Sequence, residues 1–292
     1  LEFGLIKALE LYCGIGGFAK ACEDLDIEVI KAYDQNDSAI ATYNANFTHK
    51  ATKFNLEKFD KTHLEGVDFL WMSPPCQPYT SKGNQKDLED NRTNSFLTVL
   101  ETIRQNPPLH IGVENVEGFK DSKAREVLVK TLRDLDYNIS ETLLCPSELG
   151  IPNRRLRYYL CASKRPLKKI EKTSTCKELS EFIDEPKEPY LVPKEKLEKF
   201  KNGFRILDSK DKSAYTTCFT SSYSKSLMHS GAYITCKNGV RFFEPSEIAN
   251  LMGFGSNFEF PTELTKRNSY KLIGNSLSVY ALRVILTQFD FT

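Results

Sequence analysis

Between Lys7 and Lys164 short apolar runs alternate with longer amphipathic stretches. The apolar runs Ile6 to Tyr12, Glu28 to Tyr33, Val67 to Met72, Ile111 to Glu114, Ile139 to Leu144 and Tyr158 to Ala162 predict strands. Helical periodicity falls at Gly17 to Asp24, Ser38 to Asn46, Ser95 to Gln105 and Ala124 to Leu135. Strands separated by helices of this length imply parallel pairing through crossover connections, hence an α/β sheet of the doubly wound, Rossmann-like kind. Such sheets bind their ligands beyond the carboxyl ends of the strands. The segment Gly14-Ile15-Gly16-Gly17 and the residues Asp34, Cys76 and Glu114 are all predicted to lie on that rim.

The texture changes after Pro166. A Lys/Glu/Pro-rich stretch runs to about Lys201, followed by a polar stretch studded with aromatics: Tyr215, Phe219, Tyr223, Tyr233, Phe242 and Phe243. The lost periodicity predicts a separate small domain of short strands over 171–243. Helical pattern returns at Pro245 to Gly253 and at Ser276 to Gln288, so 244–292 reads as a return to the first domain, 5–170.

Composition narrows the class. A chain of 292 residues, 40% hydrophobic and 27% charged, can bury one large core and a smaller one. It has no run near the ~18 apolar residues of a membrane span, and its first residues lack a signal-peptide layout, so a soluble, intracellular protein with no membrane partner is expected. Eight cysteines without a CxxC pair and four isolated histidines support neither a metal site nor a disulfide framework. A net charge of +1 is neutral about nucleic acid, because a polyanion needs only a local basic face. Such faces are on offer at Arg154-Arg155-Leu156-Arg157, at Lys164 to Lys169 and at Lys194 to Lys201.

Three features carry chemistry. In Ser73-Pro74-Pro75-Cys76-Gln77-Pro78 the prolines forbid continued helix or strand, so Cys76 sits on a stiff loop at a strand end. That suits a covalent nucleophile; a small buried hydrophobe is the other role the hexapeptide leaves open. A strand running through Tyr12-Cys13 into the glycine turn lets a ligand approach the backbone, and Asp34 at the next strand end can hold ribose hydroxyls. Without GxGxxG spacing or a P-loop lysine, an adenosine-type cofactor fits better than a dinucleotide or triphosphate. Glu114 is expected just after its strand, on the rim of Cys76, where a carboxylic acid could serve an electron-poor ring.

The ordered segments Leu11 to Gly17, Pro74 to Pro78, Glu114-Asn115-Val116, Asn153 to Arg157 and Gly274-Asn275-Ser276 resemble the motif series of the C5-cytosine methyltransferases across nearly the whole chain. Arg92 to Leu97, Leu149 to Asn153, Leu156 to Tyr159 and Cys218-Phe219-Thr220 resemble the branch of that family that methylates cytosine 38 in the tRNA anticodon loop. The resemblance implies an S-adenosylmethionine-dependent fold with a small inserted target recognition domain at 171–243. It implies that Cys76 adds to C6 of cytosine, that Glu114 serves N3, and that Arg155 and Arg157 hold the loop and the substrate. Ile15, Gly16, Gly17, Asp34, Asn55, Leu56, Ser73, Asn275 and Ser276 would surround S-adenosylmethionine, leaving S-adenosylhomocysteine as product. Cys218, Phe219 and Thr220 would belong to substrate recognition. The implied partner is tRNA, with tRNA-Asp preferred, and the protein would be a cytoplasmic, also nuclear, monomer. DNA (cytosine-5) methylation is the alternative, and a non-catalytic nucleic-acid-binding protein on the same fold is a second. Asn55, where DNA enzymes carry Asp, Asn153 for the usual Gln, and Tyr12-Cys13 depart from the commoner pattern.

Overall fold

The computed structural model describes residues 5–75, 93–172, 176–184, 186, 188–200 and 202–291. These fall into two compact units, the first Leu1–Leu144, Leu156–Glu171 and Leu282–Thr292, the second Cys145–Arg155 and Lys172–Ala281.

The first unit is built on seven strands: β1 (Ile6–Leu11), β2 (Ile27–Asp34), β3 (Ala51–Lys53), β4 (Phe69–Met72), β5 (His110–Val116), β6 (Asn138–Leu144) and β7 (Arg157–Ser163). They lie in the order β3-β2-β1-β4-β5-β7-β6. Chain direction along the sheet reverses between β1 and β4, which makes the gap above their carboxyl ends the switch point. The central strands are buried on both faces, as parallel strands covered by helices must be. On one face Leu9, Leu11, Leu70, Met72, Ile111 and Val113 pack in a core with α3 (Asn94–Gln105) and α4 (Lys123–Asp134). The buried stripe Phe96, Val99, Leu100 and Ile103 shows why α3 is helical: its apolar residues recur at one helical face. On the other face Phe18 of α1 (Gly17–Cys22) stacks on Trp71 at 5.2 Å. Gly112 makes room for that indole, since a Cβ there would lie 2.3 Å from the Trp71 ring.

Six predicted strands and four predicted helices of this unit are present, with one correction of direction. β7 runs antiparallel to both β5 and β6. The link from Leu144 to Arg157 holds only a short 3-10 turn at Pro146–Leu149 in place of a crossover helix, so the two strands pair as neighbours running in opposite directions. The three-residue edge strand β3 and α2 (Asp37–Asn46), whose first turn is capped by the Asn36 side chain accepting from Ser38 N and Ala39 N, complete the unit's β2 side.

The second unit carries α5 (Lys194–Lys199), β8 (Ile206–Leu207), β9 (Tyr233–Cys236), β10 (Gly239–Phe242), α6 (Pro245–Leu251) and α7 (Lys266–Asn275). Its sheet has the order β10-β9-β8, an antiparallel hairpin with β8 added in parallel. Aromatic rings dominate its interior: Tyr223 meets Phe219, Phe242, Tyr233 and Tyr270 with ring centroids between 5.0 and 5.6 Å. The buried Arg241–Glu247 pair at 2.8 Å ties the hairpin to α6. The unit is larger than the segment 171–243, because 145–155 and the helices after Phe243 pack within it. α7 had no clear sequence signal; its start, Lys266-Arg267-Asn268-Ser269, is polar, and Thr265 caps it through Asn268 N. The unit boundary falls inside α8 (Val279–Leu286).

Candidate active site

The glycine turn follows β1. Gly14 and Gly16 have φ of +54° and +88°, values that glycine adopts without steric cost. A Cβ on Gly16 would lie 2.3 Å from the Phe47 ring, whereas one on Gly14 would meet nothing within 4 Å. Gly16 therefore packs the turn down, and Gly14 faces open space. Tyr12, just before the turn, also holds a positive φ of 54°, a strained conformation for a bulky residue, and its hydroxyl bonds Ser95 Oγ at 3.0 Å. Asp34 ends β2 and accepts Gly14 N on one carboxylate oxygen and Asn36 N on the other, both at 2.8 Å. Each oxygen keeps a further lone pair, enough for a pair of ribose hydroxyls.

Beneath the turn lies a group that sequence reasoning missed. Glu10 is 2% exposed; it accepts from Phe18 N and from the Tyr43 hydroxyl, which also contacts His49 Nε2 at 2.8 Å. Burial pushes its carboxyl up to about 8, against the lowering effect of the Phe18 and Tyr43 bonds. The available signal was a lone acid inside the apolar run Leu9-Glu10-Leu11.

Further along the rim, Asn55 caps a 3-10 turn through Glu57 N and also accepts from Gln35 Nε2 at 3.0 Å. Among the described residues its Nδ2 group has no hydrogen-bond partner, so a donor remains for an adenine edge. Leu56 and Ile15 are 2% and 1% exposed; their side chains belong to the core and support the rim from below. Ser73 N continues the ladder to Leu11 O, and its hydroxyl accepts from Trp71 Nε1. The turn at Gly14, the Asp34 carboxylate and the Asn55 amide fit an adenosine-bearing cofactor.

Glu114 lies inside β5 rather than after it. Pairing with β4 ends at Met72–Val113, so Glu114, Asn115 and Val116 overhang β4 and are held by Tyr159, Tyr158 and Arg157 of β7. Glu114 Oε1 lies 3.4 Å from Arg157 Nε, with both side chains largely buried. Asn115 Nδ2 donates to the Pro74 carbonyl at 3.2 Å, which pins the start of the proline-boxed loop to the overhang. Cys76 and Arg92 lie outside the described residues.

The second unit holds the other expected residues. The Arg155 guanidinium donates to the carbonyls of Phe219 (3.1 Å), Gly274 (3.2 Å) and Ser276 and to Cys218 Sγ (3.2 Å). Gly274 sits against the Thr220 peptide so closely that a Cβ would lie 2.4 Å from its carbonyl. Phe219 is 2% exposed, packed on Tyr223 and Phe243, so its ring is core and not a surface for substrate. Asn275 ends α7 and Ser276 caps it. Arg155 thus staples the Cys218-Phe219-Thr220 and Gly274-Asn275-Ser276 segments together. Lys168, from a predicted basic cluster, is paired with Asp290 at 2.9 Å. Among the described residues no cluster of His, Cys, Asp or Glu could hold a metal ion, and no helix is long and apolar enough to cross a membrane.

A switch-point glycine turn, an acid at the end of β2 and a β5 carboxylate beside a proline-boxed loop are the features of an S-adenosylmethionine-dependent methyltransferase. The chain belongs to the C-5 cytosine-specific DNA methylase family, which it matches over residues 6–239 and 220–290. It is 31% identical to a DNA (cytosine-5)-methyltransferase from Dictyostelium discoideum, over 96% of this chain and 93% of that protein. It is 30% identical to a tRNA (cytosine(38)-C(5))-methyltransferase from Schizosaccharomyces pombe, over 98% of both. Among solved structures, the Entamoeba histolytica methyltransferase EhMeth has a TM-score of 0.89 at 29% identity, covering 96% of each chain. The S. pombe Dnmt2 methyltransferase has 0.86 at 29% identity, covering 97% of each. The protein is a C5-cytosine methyltransferase that uses S-adenosylmethionine as methyl donor.

Proposed function

We propose that this enzyme methylates C5 of cytosine 38 in the tRNA anticodon loop, with tRNA-Asp the preferred substrate. The reading is carried by the near end-to-end match to the S. pombe enzyme of that name. An anticodon loop also offers a base that is already partly unpaired, which lowers the cost of bringing it to a carboxylate on a sheet rim. The segment 171–243, within the second unit, would be the target recognition domain, and the enzyme would act as a monomer in the cytoplasm and also the nucleus.

Bound S-adenosylmethionine supplies an electrophilic sulfonium methyl group. The protein's part is to make C5 of cytosine nucleophilic. The Cys76 thiolate adds to C6 while Glu114 shares a proton with N3, so the ring becomes enamine-like at C5; loss of the C5 proton and expulsion of Cys76 then restore the methylated ring. Arg157 orients Glu114 from 3.4 Å, and Asn115 fixes where the Cys76 loop leaves β4 through the Pro74 carbonyl. In the rim, Gly14, Asp34, Asn55 and Ser73 would hold the cofactor, with Ile15, Gly16, Gly17 and Leu56 shaping it from below. Arg155 would act as a positioning residue for the Cys218-to-Thr220 segment.

DNA methylation is the second reading, favoured by the Dictyostelium relative's name. Incubating the enzyme with labelled methyl donor and either total tRNA or duplex DNA, followed by bisulfite sequencing of the tRNA, separates the two. Label in tRNA at cytosine 38 is expected; label in DNA alone would overturn the tRNA reading.

A further inference from the structure

One basic feature of the second unit has no part in the chemistry above. Arg154 and Arg205 both place their guanidinium carbons over the Tyr215 ring, 4.0 Å and 3.9 Å from its centroid. Two like charges therefore lie within about 8 Å of each other on one aromatic ring. Neither forms a salt bridge with a carboxylate among the described residues, although Arg241 of the same unit does. A shared anion would relieve the mutual repulsion of such a pair, and stacking on tyrosine holds the planar guanidinium groups in place.

The framework beneath the pair is rigid. Arg154 N donates to Thr216 O at 2.9 Å, Thr216 N donates to Pro152 O at 2.8 Å, and Asn153 forms a bridge with Thr216. Arg205 Nε donates to Tyr215 O at 3.1 Å, and Arg205 O accepts from Tyr233 N of β9 at 2.8 Å. With Nε committed to the main chain, Arg205 still has both terminal amino groups to offer. Arg154 is exposed, while Arg205 and Tyr215 are half-buried. The result is a preorganised set of guanidinium donors held by the Tyr215 ring and suited to the oxygens of a phosphodiester.

We propose that Arg154, Tyr215 and Arg205 form a phosphate-binding clamp for the RNA backbone of the substrate. The inference deepens the tRNA reading above and rests on it. The clamp gives the second unit a contact that carries no sequence information but fixes register, as phosphate contacts do. Tyr215 lies three residues from the Arg155 staple's partner Cys218, so RNA held there is coupled to the stapled segment through main chain alone.

The test uses the full-length enzyme and total tRNA, read by fluorescence anisotropy across a salt series and by steady-state methylation. Arg154→Ala and Arg205→Ala are each expected to weaken tRNA binding about tenfold and to reduce the slope of log K against log salt by about one. KM for tRNA should rise to match while kcat stays within about twofold, and S-adenosylmethionine affinity should not change. Arg154→Lys should restore part of the salt slope, because the charge returns without the planar stack. Unchanged binding and salt slope in both alanine variants, whether or not their melting temperature falls, would show that the stack is only structural and would overturn the clamp. If the parent enzyme methylates duplex DNA and neither binds nor methylates tRNA, the tRNA reading fails first and the RNA clamp with it.

Discussion

Arg155 and Arg157 stand two residues apart in one motif, yet they belong to different units and meet different chemistry. Arg157 opens β7 and lies against the Glu114 carboxylate, charge against charge, at the overhang of β5. Arg155, 3% exposed, spends its guanidinium on main-chain carbonyls and a sulfur of the second unit. The contrast teaches that a motif's basic residues need not share a role. One is placed to orient a reacting acid, and the other joins two segments that a loop-rich unit would otherwise leave unpinned.

The comparison breaks most sharply at its acid end. Glu114→Gln is expected to lower kcat by about 10²- to 10⁴-fold, the usual range for losing a positioned acid, with little change in melting temperature. Single-turnover methylation together with calorimetry would check this. Arg155→Ala should do the reverse. It strips the guanidinium donors from the carbonyls of Phe219, Gly274 and Ser276, so a loss of about 3–5 kcal/mol in stability is expected, measurable by denaturant unfolding. A large fall in kcat without loss of stability would instead put Arg155 at the reacting base.

Smaller effects sharpen the account of the first unit. Asn115→Ala removes the bond to the Pro74 carbonyl, costing about 1 kcal/mol of stability, and it should lower kcat about tenfold because the Cys76 loop loses its anchor. Cofactor affinity, measured by calorimetric titration, should hold. Glu10→Gln concerns the support beneath the glycine turn. Its carboxyl is raised from 4.5 to about 8 in the fold, so the native state binds an extra proton between those values. That contribution is fully present below the unfolded value of 4.5 and is lost as pH rises through about 8. Removing the acid should flatten the fall of stability over this window by up to about 1.4 kcal/mol per pH unit, as followed by urea unfolding across pH.

Much of the first unit was legible because its signals are local. Apolar runs such as Phe69 to Met72 and the helical stripe of Phe96, Val99, Leu100 and Ile103 each report one buried face. The direction of β7 was not legible, since an apolar run looks the same whichever way it is traversed. Sequence also placed Asp34 and Glu114 on one rim, though not the overhang that holds Glu114 inside β5. Burial reassigned other residues. Phe219 and Leu56 looked available in a linear motif, and both are core because residues distant in sequence close over them. The Arg155 staple was invisible for the same reason: its acceptors at Phe219, Gly274 and Ser276 are carbonyls, which every residue carries.

Attack of Cys76 on C6 of a tRNA cytosine, with Glu114 serving the ring, can be caught by trapping the adduct. A tRNA-Asp transcript with 5-fluorocytosine at position 38 cannot lose a proton from C5, so a thiol added at C6 stays attached once the methyl group has been transferred. Incubation with the enzyme and S-adenosylmethionine, then protease digestion and mass spectrometry, should give one RNA-linked peptide, with the linkage at Cys76. Linkage to another cysteine, or trapping by 5-fluorocytosine in duplex DNA but not in the tRNA, would contradict the account.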